Sequence, residues 1–139
     1  MAGELLLDTG ALVTLLDQSQ NNHATYVRFF NEWDGDVVST EAVLTEATHL
    51  LGGIVGGREA CIEFFLSGGS LLVPATSAVL RRSRDLIRRY ADLPMDYADA
   101  TLVVLAEELN TDLVFTTDRR DFSVYRIRGR SRFEILPEM

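Results

Sequence analysis

The stretch LVFTTDRRDF, residues 113–122, decides the fold, because a short apolar run ends there in two threonines and an aspartate. The run Leu113–Phe115 is typical of a buried strand with a polar end. The stretch ELLLDTGALVTLL, residues 4–16, repeats the arrangement, with Asp8 and Thr9 directly after its apolar run. Aspartate and threonine are common helix N-caps, so turn chemistry is one explanation of the pattern. A bound metal ion is the other.

Short apolar segments alternate with amphipathic segments along the whole chain. Strands are predicted at residues 4–7, 35–40, 70–76, 112–118 and 133–139, and helices at residues 11–16, 24–33, 41–51, 57–66, 77–91 and 96–109. Strands that alternate with helices predict a parallel sheet covered on both faces. The predicted fold class is therefore α/β, a three-layer α/β/α arrangement. No linker or repeat interrupts the pattern, so residues 1–139 are expected to form a single domain.

The composition is that of an ordinary globular protein, with 47% hydrophobic and 24% charged residues. No apolar run is long enough to cross a bilayer, and no basic region leads into an apolar one at the N-terminus. We therefore expect a cytoplasmic location without membrane association. The single cysteine, Cys61, lies among apolar residues and is expected to be buried, since it has no partner for a disulfide or a zinc site.

The charge of the chain is unevenly distributed. The formal net charge of −8 argues against simple electrostatic attraction to nucleic acid. All 13 basic residues are arginines, however, and 11 of them fall between Arg81 and Arg132, so the second half of the chain could present a basic surface. The absence of lysine excludes mechanisms that need one.

Four acidic residues are predicted to meet at one edge of the sheet. Asp8 and Asp118 follow predicted strands, and the carboxyl ends of parallel strands lie at a common edge. Asp99 leads the apolar stripe of its helix and should face inward, while Glu46 borders the apolar face of residues 41–51. Each acid alone is more typical of a cap or a solvated side chain. Together they would repel one another, and Mg²⁺ or Mn²⁺ would relieve that repulsion.

Hydroxyl groups accompany these acids. Thr9, Thr116 and Thr117 could hydrogen-bond the carboxylates or position a water molecule. Two divalent ions roughly 3.5–4 Å apart can activate a water and stabilise the leaving oxygen in phosphodiester hydrolysis. The pattern therefore favours metal-dependent hydrolysis of a phosphodiester.

Four segments resemble, in order, the acidic motifs of PIN-domain nucleases, especially the VapC-like ribonuclease toxins of prokaryotic toxin–antitoxin pairs. The segments are LLLDTGALVTLLD, EAVLTEATHLL, DYADATLVVLAEEL and LVFTTDRRDFSVYR. The resemblance implies a PIN-like (Rossmann-like) fold, Mg²⁺- or Mn²⁺-dependent cleavage of RNA, a homodimer, and an antitoxin that blocks the site. The implied acidic quartet is Asp8, Glu46, Asp99 and Asp118, with Asp96 or Asp121 at its margin.

Two positions in the quartet have a competitor nearby. Asp96 and Asp99 share a helix face, and either could be the working carboxylate of DYAD. The helical phase favours Asp99, because Asp96 is also an ordinary N-cap position. Glu41 competes with Glu46, but it lies in the first helical turn, where the helix dipole favours an acid in any case.

Arg119 and Arg120 directly follow Asp118 and are predicted to bind RNA at the rim of the site. The planar guanidinium group can hold phosphate oxygens with two parallel hydrogen bonds. The alternative is that one or both arginines neutralise the acids or pair with Asp121.

Other functions fit the sequence less well. A haloacid-dehalogenase-like phosphatase would need a second aspartate where Gly10 stands, and it shares with receiver domains a need for lysine. Two alternatives stay open. One is an RNA-processing or DNA-cleaving PIN nuclease without an antitoxin, and the other is a non-catalytic PIN scaffold that binds RNA or protein.

Overall fold

The computed structural model describes residues 3–139, and its elements follow the predicted order. The strands are β1 (Leu5–Leu7), β2 (Val37–Thr40), β3 (Leu71–Val73), β4 (Leu113–Phe115), β5 (Arg126–Ile127), β6 (Ser131–Arg132) and β7 (Glu134–Leu136). The helices are α1 (Thr9–Leu16), α2 (His23–Glu32), α3 (Glu41–Leu50), α4 (Gly57–Leu66), α5 (Ser77–Arg89), α6 (Tyr97–Leu109) and α7 (Arg119–Phe122), and a 3₁₀ turn at Leu51–Gly53 follows α3. Between residues 3 and 139, no helix is both long and apolar enough to span a membrane.

Five parallel strands form the central sheet in the order β3-β2-β1-β4-β7. The chain starts in the centre with β1, builds outward through β2 and β3, and then returns to the other side of β1 with β4. The strand order therefore reverses between β1 and β4. In such sheets, ligands bind beyond the carboxyl ends of the strands at this reversal point. The predicted α/β fold with a parallel sheet and flanking helices is confirmed.

The core lies on both faces of the central strands. All three residues of β1 are fully buried, as a central strand of a parallel sheet requires. On one face Phe115 of β4 stacks on Tyr26, with ring centroids 5.3 Å apart, and packs against Phe29 at 5.1 Å. Cys61 is buried, as predicted.

Helix N-caps explain part of the polar pattern at the strand ends. The Thr40 side chain caps α3, and the Thr76 side chain caps α5. Asp96 caps α6 by accepting a hydrogen bond from the backbone N–H of Asp99. Asp8 occupies the N-cap position of α1, but its side chain makes no capping hydrogen bond. Turn chemistry therefore does not account for Asp8.

The four-residue helix α7 and the antiparallel pair β5–β6 were absent from the sequence prediction. Both are too short to produce a periodic pattern. The β5–β6 turn also places Arg128 at a φ of +53°, which a non-glycine residue rarely adopts. Glu107 supports the turn, since it accepts hydrogen bonds from the Arg128 backbone N–H and from Arg82. Some of the clustered arginines are thus used inside the fold.

Candidate active site

The site begins where β1 and β4 leave the sheet side by side, since Leu7 pairs with Phe115 in the sheet register. The next residues are Asp8 and Thr116, both buried. The Thr116 hydroxyl donates a hydrogen bond to Asp8 Oδ2 at 2.6 Å and accepts one from the Asp118 backbone N–H at 2.9 Å. One threonine hydroxyl therefore connects the two strand-end aspartates.

Three carboxylates form the tightest acidic group of the site. Asp99, Asp118 and Asp121 each offer an oxygen, and these oxygens lie within 4.8 Å of one another. Asp118 caps α7 by accepting a hydrogen bond from the Asp121 backbone N–H at 3.0 Å, which brings Asp121 alongside. Oxygens that share one Mg²⁺ at about 2.0–2.1 Å lie up to about 4.2 Å apart, so the group needs little adjustment to hold a cation.

A buried tyrosine holds the Asp99 carboxylate. The Tyr125 hydroxyl donates to Asp99 Oδ2 at 2.9 Å. Its ring is fully buried and packs edge-on against Tyr90 and Phe122, with centroids 5.2 Å away in each case. Burial, and then the negative charge of Asp99, raise the pKa of Tyr125, so the hydroxyl stays protonated as a donor. Sequence reasoning missed this residue, because a single tyrosine in a loop carries no pattern.

Burial and mutual repulsion perturb the two inner aspartates. Burial raises the pKa of Asp8 to about 6, with smaller contributions from the charges of Asp118 and Glu46 and partial relief from Thr116. Burial raises the pKa of Asp99 to about 8, and the negative charges of Asp8 and Asp96 add to the effect. A carboxylate whose pKa is raised this far above its ordinary range has no cationic neighbour that stabilises its charged form.

Glu46, the fourth predicted acid, lies on the α3 side of the site, outside the group of Asp99, Asp118 and Asp121. Burial raises the pKa of Glu46, the neighbouring Thr9 hydroxyl lowers it, and the negative charge of Asp96 raises it again. The Thr9 hydroxyl is close to Glu46, but this buried oxygen makes no hydrogen bond of standard geometry within residues 3–139. An unpartnered buried hydroxyl beside a carboxylate is suited to a bound water or a metal-bound water.

The donor set fits a hard divalent cation. In the part of the chain that the structure describes, the ion pairs are Arg82–Glu107 and Arg84–Asp85, so no arginine pairs with an acid of the site. The group consists of carboxylate and hydroxyl oxygens, which are the ligands that Mg²⁺ and Mn²⁺ prefer. Asp99, Asp118 and Asp121 are the residues placed to hold such an ion, whereas Asp8 and Glu46 lie outside this group and Asp96 caps α6.

Comparison with known proteins identifies the family. The family described as "PIN domain" matches residues 5–128 of the chain. The chain belongs to the PIN-domain family. Ribonuclease VapC26 from Mycobacterium tuberculosis (strain ATCC 25618 / H37Rv) is 30% identical over 135 residues, which cover 96% of this chain and 100% of that protein. The resemblance to VapC-like PIN domains is thereby confirmed.

Solved structures share the fold of this PIN domain. VapC20 from Mycobacterium tuberculosis, described as a sarcin–ricin loop cleaving toxin, superposes with a TM-score of 0.77 at 19% identity, over 84% of this chain and 91% of that one. A chain of a toxin–antitoxin complex from Klebsiella pneumoniae gives a TM-score of 0.60 at 17% identity, over 86% of this chain and 91% of that one. At these identities the likeness establishes the fold alone.

Of the three threonines predicted for the site of this PIN domain, Thr117 has a different environment from Thr9 and Thr116. It is exposed and makes no side-chain hydrogen bond within residues 3–139. It packs against Gly10 so closely that a Cβ on Gly10 would lie 2.0 Å from Thr117 Oγ1. Gly10 therefore allows the first turn of α1 to lie against the end of β4.

The two predicted RNA-binding arginines of the PIN domain differ in their contacts. Both are exposed at the start of α7. Arg119 Nη1 donates to the Pro137 carbonyl oxygen at 2.9 Å, whereas the Arg120 side chain makes no hydrogen bond or ion pair with any residue from 3 to 139. Neither forms an ion pair with Asp121, although burial and the charge of Asp118 raise the pKa of that acid and the charge of Arg120 partly offsets the rise.

The raised pKa values predict how stability depends on pH. In EDTA, folded Asp8 and Asp99 keep their protons up to about pH 6 and about pH 8, whereas their ordinary pKa is 3.8. Between about pH 4 and about pH 8, the unfolded chain therefore binds fewer protons than the folded chain. The free energy of unfolding falls as the pH rises across this range. Urea unfolding at about pH 5 and at about pH 8 measures the difference.

Asp99→Asn is the control for this pH dependence. The amide cannot ionise, so the decline above about pH 6 should largely disappear, while the decline due to Asp8 remains. A wild-type protein that is more stable at about pH 8 than at about pH 5 in EDTA would contradict the electrostatic description of the site.

Proposed function

We propose that this PIN domain is a divalent-metal-dependent ribonuclease that hydrolyses RNA phosphodiester bonds, and that it is the toxin of a toxin–antitoxin pair. The observation that carries the proposal is the group formed by Asp99, Asp118 and Asp121 at the reversal point of the sheet. The relative VapC26 is named a ribonuclease, and VapC20 is described as a sarcin–ricin loop cleaving toxin. The proposal treats residues 1–139 as one nuclease domain that acts in the cytoplasm.

The proposed catalytic and metal-binding residues are Asp8, Glu46, Asp99 and Asp118. Asp121 belongs to the same group of carboxylates as Asp99 and Asp118, and Asp96 lies at the margin of the site. A bound Mg²⁺ or Mn²⁺ supplies Lewis-acid polarisation of the phosphoryl oxygen and a water of lowered pKa. The carboxylates must be deprotonated to bind a cation, so metal affinity should rise with pH.

The other residues of the site hold these groups in place. Thr116 fixes the Asp8 carboxylate, and Tyr125 fixes that of Asp99. The free Thr9 hydroxyl beside Glu46 is suited to orient a water. Pre-oriented groups of this kind lower the reorganisation needed during reaction.

A groove beside the site supports a protein partner. A cavity of about 690 Å³ lies between α3, α6 and the residues after β3. Apolar residues such as Val79 and Val104 line it together with the acids Glu41, Glu46 and Glu108. A partner segment that carries both apolar and basic side chains would complement this surface. An antitoxin bound there would cover Glu46 and so block the acidic site.

The proposal includes the homodimer implied by the family resemblance. Leu71 and Leu72 on the edge strand β3 are exposed, with 60% and 37% of their surface accessible. Ile62 and Leu66 of α4 are exposed as well. Contiguous patches of exposed apolar side chains are typical of surfaces covered in an assembly, so these four side chains are the candidates for the contact between two copies.

The first prediction of the proposal concerns metal. With Mg²⁺ or Mn²⁺ at a hundredfold excess over its dissociation constant, the free energy of unfolding should rise by about 2.7 kcal/mol, because the ion binds the folded state. The same ion should support cleavage of single-stranded RNA, and EDTA should abolish it. Asp99→Asn should remove the stabilisation and lower the cleavage rate at least about a hundredfold, since it removes a ligand charge.

Asp85→Asn is the matched control, because Asp85 is an exposed acid of α5 that pairs with Arg84, outside the site. It should leave metal stabilisation and cleavage unchanged. Metal stabilisation with cleavage of DNA alone would favour the DNA-cleaving alternative. Metal stabilisation without cleavage of either nucleic acid would favour a scaffold. No stabilisation by either metal would contradict the cation site.

The second prediction concerns Arg119 and Arg120. Replacing both with alanine should weaken RNA binding and reduce its salt dependence by about one unit of slope for each phosphate that the protein no longer neutralises. Metal stabilisation should survive, because the carboxylates remain. Arg120→Ala alone should leave stability unchanged, whereas Arg119→Ala also removes the hydrogen bond to Pro137.

Fluorescence anisotropy of a labelled RNA across a salt series measures this effect. Unchanged affinity and slope in the double variant would show that the RNA follows another path, for which the arginines of residues 81–89 are the next candidates.

The third prediction concerns the antitoxin. The protein encoded by the adjacent gene should co-purify with this chain and inhibit its cleavage of RNA. Thr45→Arg places a positive charge on the groove wall and should weaken that complex at least about tenfold by repelling a basic segment. Thr48→Arg on the same helix, outside the groove, is the control. Equal binding by both variants would place the partner elsewhere, and no co-purifying protein would favour a nuclease without an antitoxin.

A further inference from the structure

A second cavity adjoins the acidic site, and of its lining residues the function proposed above uses only Arg119. Its volume is about 640 Å³, within the roughly 300–1,000 Å³ of small-molecule sites. Gly10, Thr117 and Arg119 form one wall. Because Gly10 follows Thr9 and Thr117 precedes Asp118, this wall is shared with the acidic site. None of the residues that line the 690 Å³ groove lines this cavity.

The lining also includes three neighbouring amide side chains from the loop between α1 and α2, which are Gln20, Asn21 and Asn22. Asp17 organises this loop, since its carboxylate accepts hydrogen bonds from the Ser19 backbone N–H at 3.0 Å and from Gln20 Nε2 at 2.9 Å. The Asn21 and Asn22 side chains make no hydrogen bond within residues 3–139. Their donors and acceptors are available at a wall whose backbone is already fixed.

Apolar side chains complete the cavity. Val13, Leu50 and Met139 line it, and Leu50 and Met139 are 57% and 65% exposed. The lining therefore offers apolar surface for a flat ring, amides for a polar edge and one guanidinium group. An unpaired nucleobase has this combination of apolar faces and a hydrogen-bonding edge, and proteins read single-stranded RNA through such edges.

We propose that this cavity binds the base of a nucleotide next to the cleaved phosphate, with Asn21 and Asn22 reading its edge. The inference rests on the proposed ribonuclease function and names the substrate feature that this site recognises. Amide side chains can donate to and accept from a base edge at the same time, so they discriminate between bases. Arg119, at the wall shared with the acidic site, contacts the phosphate that joins the bound nucleotide to the cleaved bond.

The test uses the full-length chain with Mn²⁺ and short unstructured RNA oligomers. The base on either side of one cleavable bond is varied in turn, and kcat/KM is measured for each oligomer. The wild type should favour one base over the least-favoured by about tenfold or more at one of these positions, as expected for a two-hydrogen-bond contact. In the double variant Asn21→Ala, Asn22→Gly this preference should fall to about twofold, through slower cleavage of the favoured base.

The variants are chosen to keep the fold. Asn22 has a φ of +65°, which glycine adopts without strain, so Asn22→Gly preserves the loop. Asn31→Ala, an exposed amide of α2 outside the cavity, is the matched control and should retain the full base preference. Metal stabilisation should be equal in all three proteins.

The outcomes separate this inference from the proposed function. If the wild type cleaves RNA and the double variant keeps the same base preference, the cavity does not read a base, although the ribonuclease stands. If the wild type cleaves no RNA, the proposed ribonuclease function is wrong. Fluorescence anisotropy with the same oligomers then tests whether the cavity recognises a base. Base-dependent binding that disappears in the double variant supports the cavity, and binding without base dependence overturns it. Weaker capture of the antitoxin with an unchanged base preference also overturns it.

Discussion

The hydrogen bond from Thr116 to Asp8 is the contact on which the rest of the site depends. It joins the ends of the two strands between which the sheet reverses its order, and the same hydroxyl receives the backbone N–H of Asp118. Asp118 in turn begins α7 and positions Asp121. A single buried hydroxyl thus sets the relative positions of three carboxylates, which is a form of pre-organisation that loops alone supply poorly.

Function and stability oppose each other in this arrangement. Asp8 and Asp99 are ionisable groups buried near like charges, with no arginine paired to them in residues 3–139. Such a group destabilises the folded chain in the absence of a cation, and the surrounding core must offset that cost. The fully buried β1 and the aromatic packing around Phe115 supply part of this compensation next to the site. Arginines near the acids would stabilise the fold, but they would also occupy the oxygens that are placed to hold a cation.

The sequence predicted what depends on regular patterns and missed what depends on tertiary contact. Strand ends and helix phase placed Asp8, Asp118 and Asp99 correctly relative to the sheet, because the alternation of strands and helices dictates a parallel sheet and a common carboxyl edge. Asp121 was predicted only at the margin, since α7 is too short to be seen as a helix. Tyr125 could not be found, because its role arises from a hydroxyl that reaches Asp99 across 26 positions of sequence. The clustered arginines of the second half predict a basic surface, whereas Arg82 and Arg128 bind Glu107 in the folded chain.

The position of β4 in the sheet has a consequence for biosynthesis. This strand is the second-last of the parallel sheet in sequence but lies beside β1 at its centre, and it leads directly into Asp118, Asp121 and the loop with Tyr125. Chains are made from the N-terminus, so the ribosome releases β1, β2 and β3 long before β4 can join them. Until then Asp8 and Asp99 lack the residues that complete the acidic group. A chain with this topology therefore completes its acidic group only after β4 and the segment that follows it have joined the sheet.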